Sequence, residues 1–292
     1  MKTGGAGPPG PRPRRAPAGP HAGGSPLLSR RSFFRHILAN PESRELLLNS
    51  LAVGEADSAV DLDRVAAHVE DAVLSRKIYR HFAEETKHAR LFRRHLESMG
   101  FAVRPLPPEL DYERLVRGYA MGTPRSRIDD PRPFDTDDLV TFFCGSKAGE
   151  ERACAEMAGL IDSLAEDPAT VALLREIYDD EIRHVSYATE ELGRIADAGN
   201  RPLVVRRLRA ARRAEARAHR TVSRAFMRRL MEIVGAPRIV RLFAGVAIDL
   251  GFVVRFLFPG GLDRPLVADA MRTPERPKQL TARPVVATQE LS

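Results

Sequence analysis

The sequence predicts an all-α chain. Its core is a four-helix bundle with a long connection between the second and third helices, and two more helices follow the fourth. Three observations carry this. Apolar residues recur at three-to-four spacing through four long stretches, the pattern of helices with one buried face. A Pro- and charge-rich stretch over residues 100–137 divides those four into two pairs. Each pair also holds one Glu-x-x-His match, Glu85 with His88 and Glu181 with His184.

The first bundle helix is predicted from about Glu42 to Ala67. Leu47, Leu48, Leu51, Ala52, Glu55, Ala59, Leu62 and Ala66 form its stripe, which places Glu55 among apolar neighbours. A turn near His68 to Asp71 reverses the chain, and the second helix runs to about Met99, where Gly100 stops it. Glu55 and Glu85 lie at nearly equal distances from that turn, so an antiparallel hairpin sets them at one level. The second helix presents Ile78, Phe82, Glu85, His88, Ala89 and Phe92 on one face.

The connection from 100 to 137 offers at most a short helix near Glu109 to Arg117. The third helix is predicted over about Thr136 to Leu164 and the fourth over about Pro168 to Ala196, with a turn near Ala165 to Asp167. In the third helix Leu139, Phe143, Ser146, Glu150, Ala153, Cys154, Met157 and Ile161 share one face. The face of Glu151 is more polar, so helical phase favours Glu150 as the inward acid and holds Glu151 in reserve. The fourth helix sets Glu181 and His184 among Leu174, Ile177, Val185 and Ala188.

Residues i and i+3 of a helix project from one side, so each Glu-x-x-His pair can grip one metal ion. With one further Glu from each of the other two helices, the set Glu55, Glu85, His88, Glu150, Glu181 and His184 has the composition of a carboxylate-bridged dimetal site in a four-helix bundle. On these residues the stretch from about 44 to 196 resembles the ferritin-like di-iron carboxylate superfamily. That resemblance implies a ferritin-like bundle whose long crossover joins helices two and three. It also implies two iron ions, with manganese the alternative, and O2 chemistry on an organic substrate. It places Glu84 against His184 and Asp180 against His88, each acid fixing the ring of the opposite pair; the family more often has Asp where Glu84 stands. Phe92 occupies the position where radical-bearing subunits of ribonucleotide reductase carry Tyr, so the resemblance does not extend to radical storage.

The expected function is therefore an O2-dependent di-iron oxygenase or hydroxylase acting on a small organic molecule, supplied with electrons by a separate reductase. Two alternatives stand beside it: a hydroxylase of a tRNA base or membrane quinone precursor, and an iron-handling ferroxidase or peroxide scavenger. Against the last stand the long connection, the extra helices and the lack of a rubredoxin-type set of Cys pairs. Phe82, Phe92, Phe142, Phe143 and Met157 are read first as packing residues.

Charge is uneven along the chain. Residues 1–35 hold seven Lys/Arg and no acid, 36–200 hold 20 Lys/Arg against 32 Asp/Glu, and 201–241 hold 13 Arg against Glu215 and Glu232. The basic flanks are expected to meet the acidic bundle itself; nucleic acid and a membrane surface are the alternatives. Residues 1–26 read as a disordered basic Pro/Gly-rich tail, 27–200 as the bundle and 261–292 as a loose tail. Between them, 201–260 read as an Arg-rich amphipathic helix and an apolar helix, packed on the bundle or on a partner in a homodimer. Glu215 and His219 are expected at the surface. Ser29 to Arg35 looks like a twin-arginine signal but lacks the apolar stretch that must follow. No 20-residue apolar run exists, and Cys144 and Cys154 lie too far apart on one helix to bond, so both are expected as thiols of a cytoplasmic protein.

Overall fold

The structure, a computed structural model, describes residues 30–257. The tails expected over 1–26 and 261–292 lie outside the described residues. Among the described residues every regular element is a helix, as the sequence predicts. In order these are α1 (Arg30–Leu38), α2 (Pro41–Ala67), α3 (Ala72–Ser98), α4 (Tyr112–Gly118), α5 (Arg125–Ile128), α6 (Thr136–Ser163), α7 (Pro168–Ile195), α8 (Arg201–Ile233) and α9 (Arg238–Leu257). A π-helical turn over Ala196–Asn200 joins α7 to α8, with Gly199 at φ 98°.

An Asn or Asp side chain begins each long bundle helix by accepting from backbone N–H groups that lack helical partners. Asn40 caps α2 and Asp71 caps α3, each holding two N–H groups. Asp135 opens α6 in a reciprocal capping box with Asp138, and Asp167 caps α7 through Thr170. Pro follows the cap in α2 and α7, where its missing N–H matters least. Gly100, at φ 84°, ends α3.

The four-residue turn after α2 returns the chain as α3, and α7 likewise returns beside α6. Between the pairs, residues 99–135 travel along α2. Arg104 N donates to Asn49 Oδ1 at 2.8 Å, while Asn49 Nδ2 donates to Arg104 O at 2.9 Å. Further along, Arg117 and Arg125 both reach Asp61 at 3.2 Å. At the far end, Phe134 N donates to His68 O at 2.9 Å, and the His68 ring stacks on Phe134 at 5.0 Å. From Asn49 to His68 is about 28 Å of helix at 1.5 Å per residue. The segment therefore delivers α6 to the end of the molecule where α3 starts, and α3 and α6 run the same way.

Two apolar cores fill the bundle, and a smaller third one joins Ile37 to Leu230 and Met231. Leu62, Ile78, Val140, Phe143, Ala188, Leu192 and Leu208 fill the one nearer the α2–α3 turn. Leu48, Phe92, Leu96, Met157, Leu174 and Ile177 fill the other. The expected aromatic and Met packing residues belong to these cores, with Phe82, Phe142 and Phe143 in the first and Phe92 and Met157 in the second.

Helix α8 lays Val204, Leu208, Ala211 and Ala218 toward the bundle, and its arginines meet bundle acids. Arg207 pairs with Asp137 and Arg212 with Glu151 at 3.2 Å. Glu215 is not the surface residue the sequence suggests: it is buried and accepts from Arg152 Nε at 2.8 Å. His219 lies 3.3 Å from Glu156. Part of the basic segment thus pairs with acids of the bundle. Helix α9 folds back on α8, where Asp249 pairs with Arg220 and Arg224, and it exposes Leu242, Phe243, Val246 and Leu250. Cys144 and Cys154 are buried free thiols. No helix among the described residues is long and apolar enough to cross a membrane.

The traverse also touches α6 directly. A Cβ placed on Gly145 would lie 2.6 Å from Gly122 Cα, whereas one on Gly149 would meet only Met121 Cε at 3.9 Å. Gly145→Ala is expected to lose about 1–3 kcal/mol because two backbones must separate. Gly149→Ala is expected to be neutral or to gain up to about 1 kcal/mol from helix propensity. Urea unfolding of the two variants checks this; equal losses would contradict the close approach.

Candidate metal centre

Between the two apolar cores lies a layer of ionisable side chains contributed by α2, α3, α6 and α7. Glu55, His81, Glu85, His88, Glu181 and His184 are all buried in it, and the Glu150 side chain is 12% exposed. Their ligand-capable atoms form two groups of four, each within 4.8 Å: Glu55, Glu85, His88 and Glu181, and then His81, Glu85, Glu150 and His184. Glu85 belongs to both.

The hairpin register explains the meeting of α2 with α3. His88 Nδ1 lies 3.3 Å from Glu55 Oε2 and 3.4 Å from Glu181 Oε1. Its other nitrogen, Nε2–H, donates to Asp180 Oδ2 at 3.0 Å. His184 repeats the arrangement. Nδ1 faces Glu85 Oε1 at 3.3 Å and Glu181 Oε2 at 3.4 Å, while Nε2–H donates to Glu84 Oε2 at 2.9 Å. In both rings the outward nitrogen faces a carboxylate outside the layer and the inward one faces the layer's own acids, so that an ion bound there would meet the inward nitrogen. The longer arm of Glu84 does not prevent its contact. Lys87 and Arg183 in turn hold Asp180, with Lys87 Nζ at 2.7 Å.

Every candidate named from the sequence except Glu151 lies in or directly against this layer. Glu151 instead turns to Lys147 at 3.0 Å and Arg212 at 3.2 Å, on the α8 side. One resident is new. His81, one turn before Glu85, sets Nε2 3.3 Å from Glu85 Oε1 and 3.2 Å from Glu150 Oε1. Its Nδ1 lies 2.8 Å from the hydroxyl of Tyr187, and its ring centroid is 3.7 Å from that of His184. The signal available was the i, i+4 spacing of His81 and Glu85 on one face. At the matching place on α7 stands Ile177, so the duplicated pattern of the two helices does not contain it.

Electrostatics make the layer expensive without a cation. Burial and the neighbouring Glu181 carboxylate push Glu150 up to about 8. Burial and Glu85 likewise raise Glu55 well above the usual carboxylate range. Burial alone would lower both ligand-type imidazoles. For His88 the contacts with Glu181 and Glu55 prevail and raise it to about 11, and contacts with Glu181 and Glu84 bring His184 to about 9. Glu84 and Asp180 are held down near 2: burial opposes this, but hydrogen bonds from His184 to Glu84 and from Lys87 and His88 to Asp180 outweigh it. Two buried atoms, His81 Nε2 and Glu85 Oε1, have no partner of good hydrogen-bond geometry. Four carboxylates and three imidazoles form a hard oxygen and nitrogen donor set, which suits iron or manganese. Two divalent ions would also balance the four negative charges.

Two surface hollows among the described residues lie along α8. One is lined by Arg201, Val205, Arg209 and Arg213, another by Tyr119, Thr221, Arg224 and Leu242. Compared with family models, curated proteins and solved structures, the chain finds no match.

A group whose folded pKa is raised binds its proton more tightly in the native state, so Glu150 makes metal-free protein less stable as pH rises from about 4.5 to about 8. The raised histidines add to this fall only above about pH 6.5. Glu150→Gln is therefore expected to flatten the fall between pH 5 and 6.5 and to exceed wild type in stability at pH 8. Urea midpoints of chelator-treated protein measure both; an unchanged slope in the variant would contradict the assignment.

Proposed function

We propose that the buried layer holds two iron ions and that the protein is an O2-dependent di-iron oxygenase or hydroxylase of a small organic substrate. The observation that carries the reading is the pair of overlapping four-donor groups with Glu85 in common, a carboxylate placed to bridge two ions. His81 Nε2 and Glu85 Oε1, buried 3.3 Å apart without a hydrogen bond of good geometry, support it, because a metal ion would satisfy both atoms. Glu55, Glu85, His88, Glu150, Glu181 and His184 would hold the pair.

The passage of residues 99–135 along α2 and the parallel run of α3 and α6 support a ferritin-like bundle with its long crossover. Iron held by these residues would supply two electrons for O2 activation and, from it, an oxidant for the substrate. The chain's own residues do the rest. Glu84 and Asp180 fix the His184 and His88 rings by accepting their outward N–H groups. Arg183 and Lys87 keep Asp180 ionised for that task. The apolar cores on either side exclude water from the layer, which strengthens every charge interaction within it.

Elemental analysis of protein loaded anaerobically with Fe(II) tests this reading. Near two irons per chain are expected in the wild type and fewer than one in Glu85→Ala and Glu181→Ala. Binding should also stabilise the wild type against urea, by about 2.7 kcal/mol at a free-metal level 100 times Kd. On addition of excess Fe(II) and O2 the content should stay near two. Growth far beyond two would favour iron handling instead, and folded wild type without stoichiometric iron would remove the proposal.

A further inference from the structure

The dimetal reading treats the two halves of the layer as equivalent, each with one imidazole. The side chains do not. We propose that His81 is a seventh metal ligand, held in place by Tyr187, and that it makes the two metal positions chemically unequal. The inference rests on the dimetal reading above. One position would draw on His81, His184, Glu85 and Glu150, and the other on His88, Glu55, Glu85 and Glu181.

The geometry leaves His81 little else to do. It is 2% exposed, and its Nε2 points at Glu85 and Glu150 without a hydrogen bond of acceptable angle to either. Its neighbours face the same point. His184 Nδ1 and His81 Nε2 both lie 3.3 Å from Glu85 Oε1, and the His81 and His184 rings stand 3.7 Å apart. Two imidazole edges directed at one carboxylate oxygen form a cup of lone pairs.

Tyr187 sets the tautomer. With the proton on Nδ1, His81 donates to the Tyr187 oxygen at 2.8 Å, and the Nε2 lone pair is left directed into the layer. Tyr187 does for His81 what Asp180 does for His88 and Glu84 for His184. It stands against Phe143 with centroids 5.9 Å apart, in a site formed by packing rather than by solvent.

The consequence is selectivity. Two imidazoles with two carboxylates suit metals later in the first-row series better than one imidazole with three carboxylates, which suits Mn(II). Removing His81 should therefore weaken binding of Co(II), an air-stable probe with visible bands, more than binding of Mn(II). Loss of packing alone would weaken both alike.

Titration calorimetry of the full chain with Co(II) and with Mn(II), joined to the visible spectrum of the cobalt form, provides the test. The variants are His81→Gln and Tyr187→Phe, with circular dichroism of the metal-free forms as the folding control. Wild type is expected to bind two Co(II) in two resolvable steps. His81→Gln should lose at least about tenfold in one Co(II) step with a changed spectrum, keep the other step, and lose less with Mn(II). Tyr187→Phe, which keeps the imidazole, should weaken the same step by on the order of tenfold, and it carries the test should His81→Gln not fold. Two unaltered Co(II) steps in the folded variants, or equal losses for the two metals, would overturn the role of His81 while leaving the dimetal reading in place. A wild type that binds neither metal would overturn both.

Discussion

Four carboxylates, three of them buried and Glu150 nearly so, within one layer of a helical bundle are the constraint on which the rest of this structure depends. Each ionised carboxylate taken from water costs several kcal/mol unless paired, and like charges at contact distance add to that. Glu55, Glu85, Glu150 and Glu181 meet with only imidazoles as inner neighbours. The raised Glu55 and Glu150 show how far the metal-free arrangement must take up protons to exist. Two divalent ions, as proposed, would remove that difficulty. The surrounding chain is organised to hold the layer rigid in the meantime: Leu62, Ile78 and Phe143 pack on one side, Phe92, Met157 and Leu174 on the other.

Rigidity is carried outward by a relay of charges. The imidazoles of His88 and His184 are fixed by Asp180 and Glu84, and those acids are fixed by Lys87, Arg183 and Arg80. On the α6 side, Arg152, Glu215, Arg212 and Glu151 tie α8 to the bundle. Arg207 and Arg212 of the same Arg-rich helix thus pair with Asp137 and Glu151 of the bundle. Segment 99–135 closes α2 on another side, held by Asn49, Asp61 and His68.

Much of this was legible in the sequence because the relevant patterns are local. Helix periodicity, Asx caps and the two Glu-x-x-His pairs are each read within a few residues, and helical phase separates Glu150 from Glu151. Three things were not. The burial of Glu215 depends on Arg152 across a helix interface, which no local pattern records. Helix α1 lies in a stretch whose Arg30, Arg31 and Phe33 look like a targeting motif. His81 was hidden for a different reason. The Glu-x-x-His template repeats on α3 and α7, and the residue that breaks their symmetry, His81 against Ile177, lies outside that template.

The central claim is that the shared Glu85 lies between two metal ions. Anomalous diffraction at the iron edge, from crystals of protein loaded anaerobically with Fe(II), measures this directly. Two peaks about 3.5–4 Å apart, flanking the Glu85 carboxylate and each within bonding distance of one of His88 and His184, are the predicted result. A single peak, or none in the layer between the two apolar cores, would contradict it.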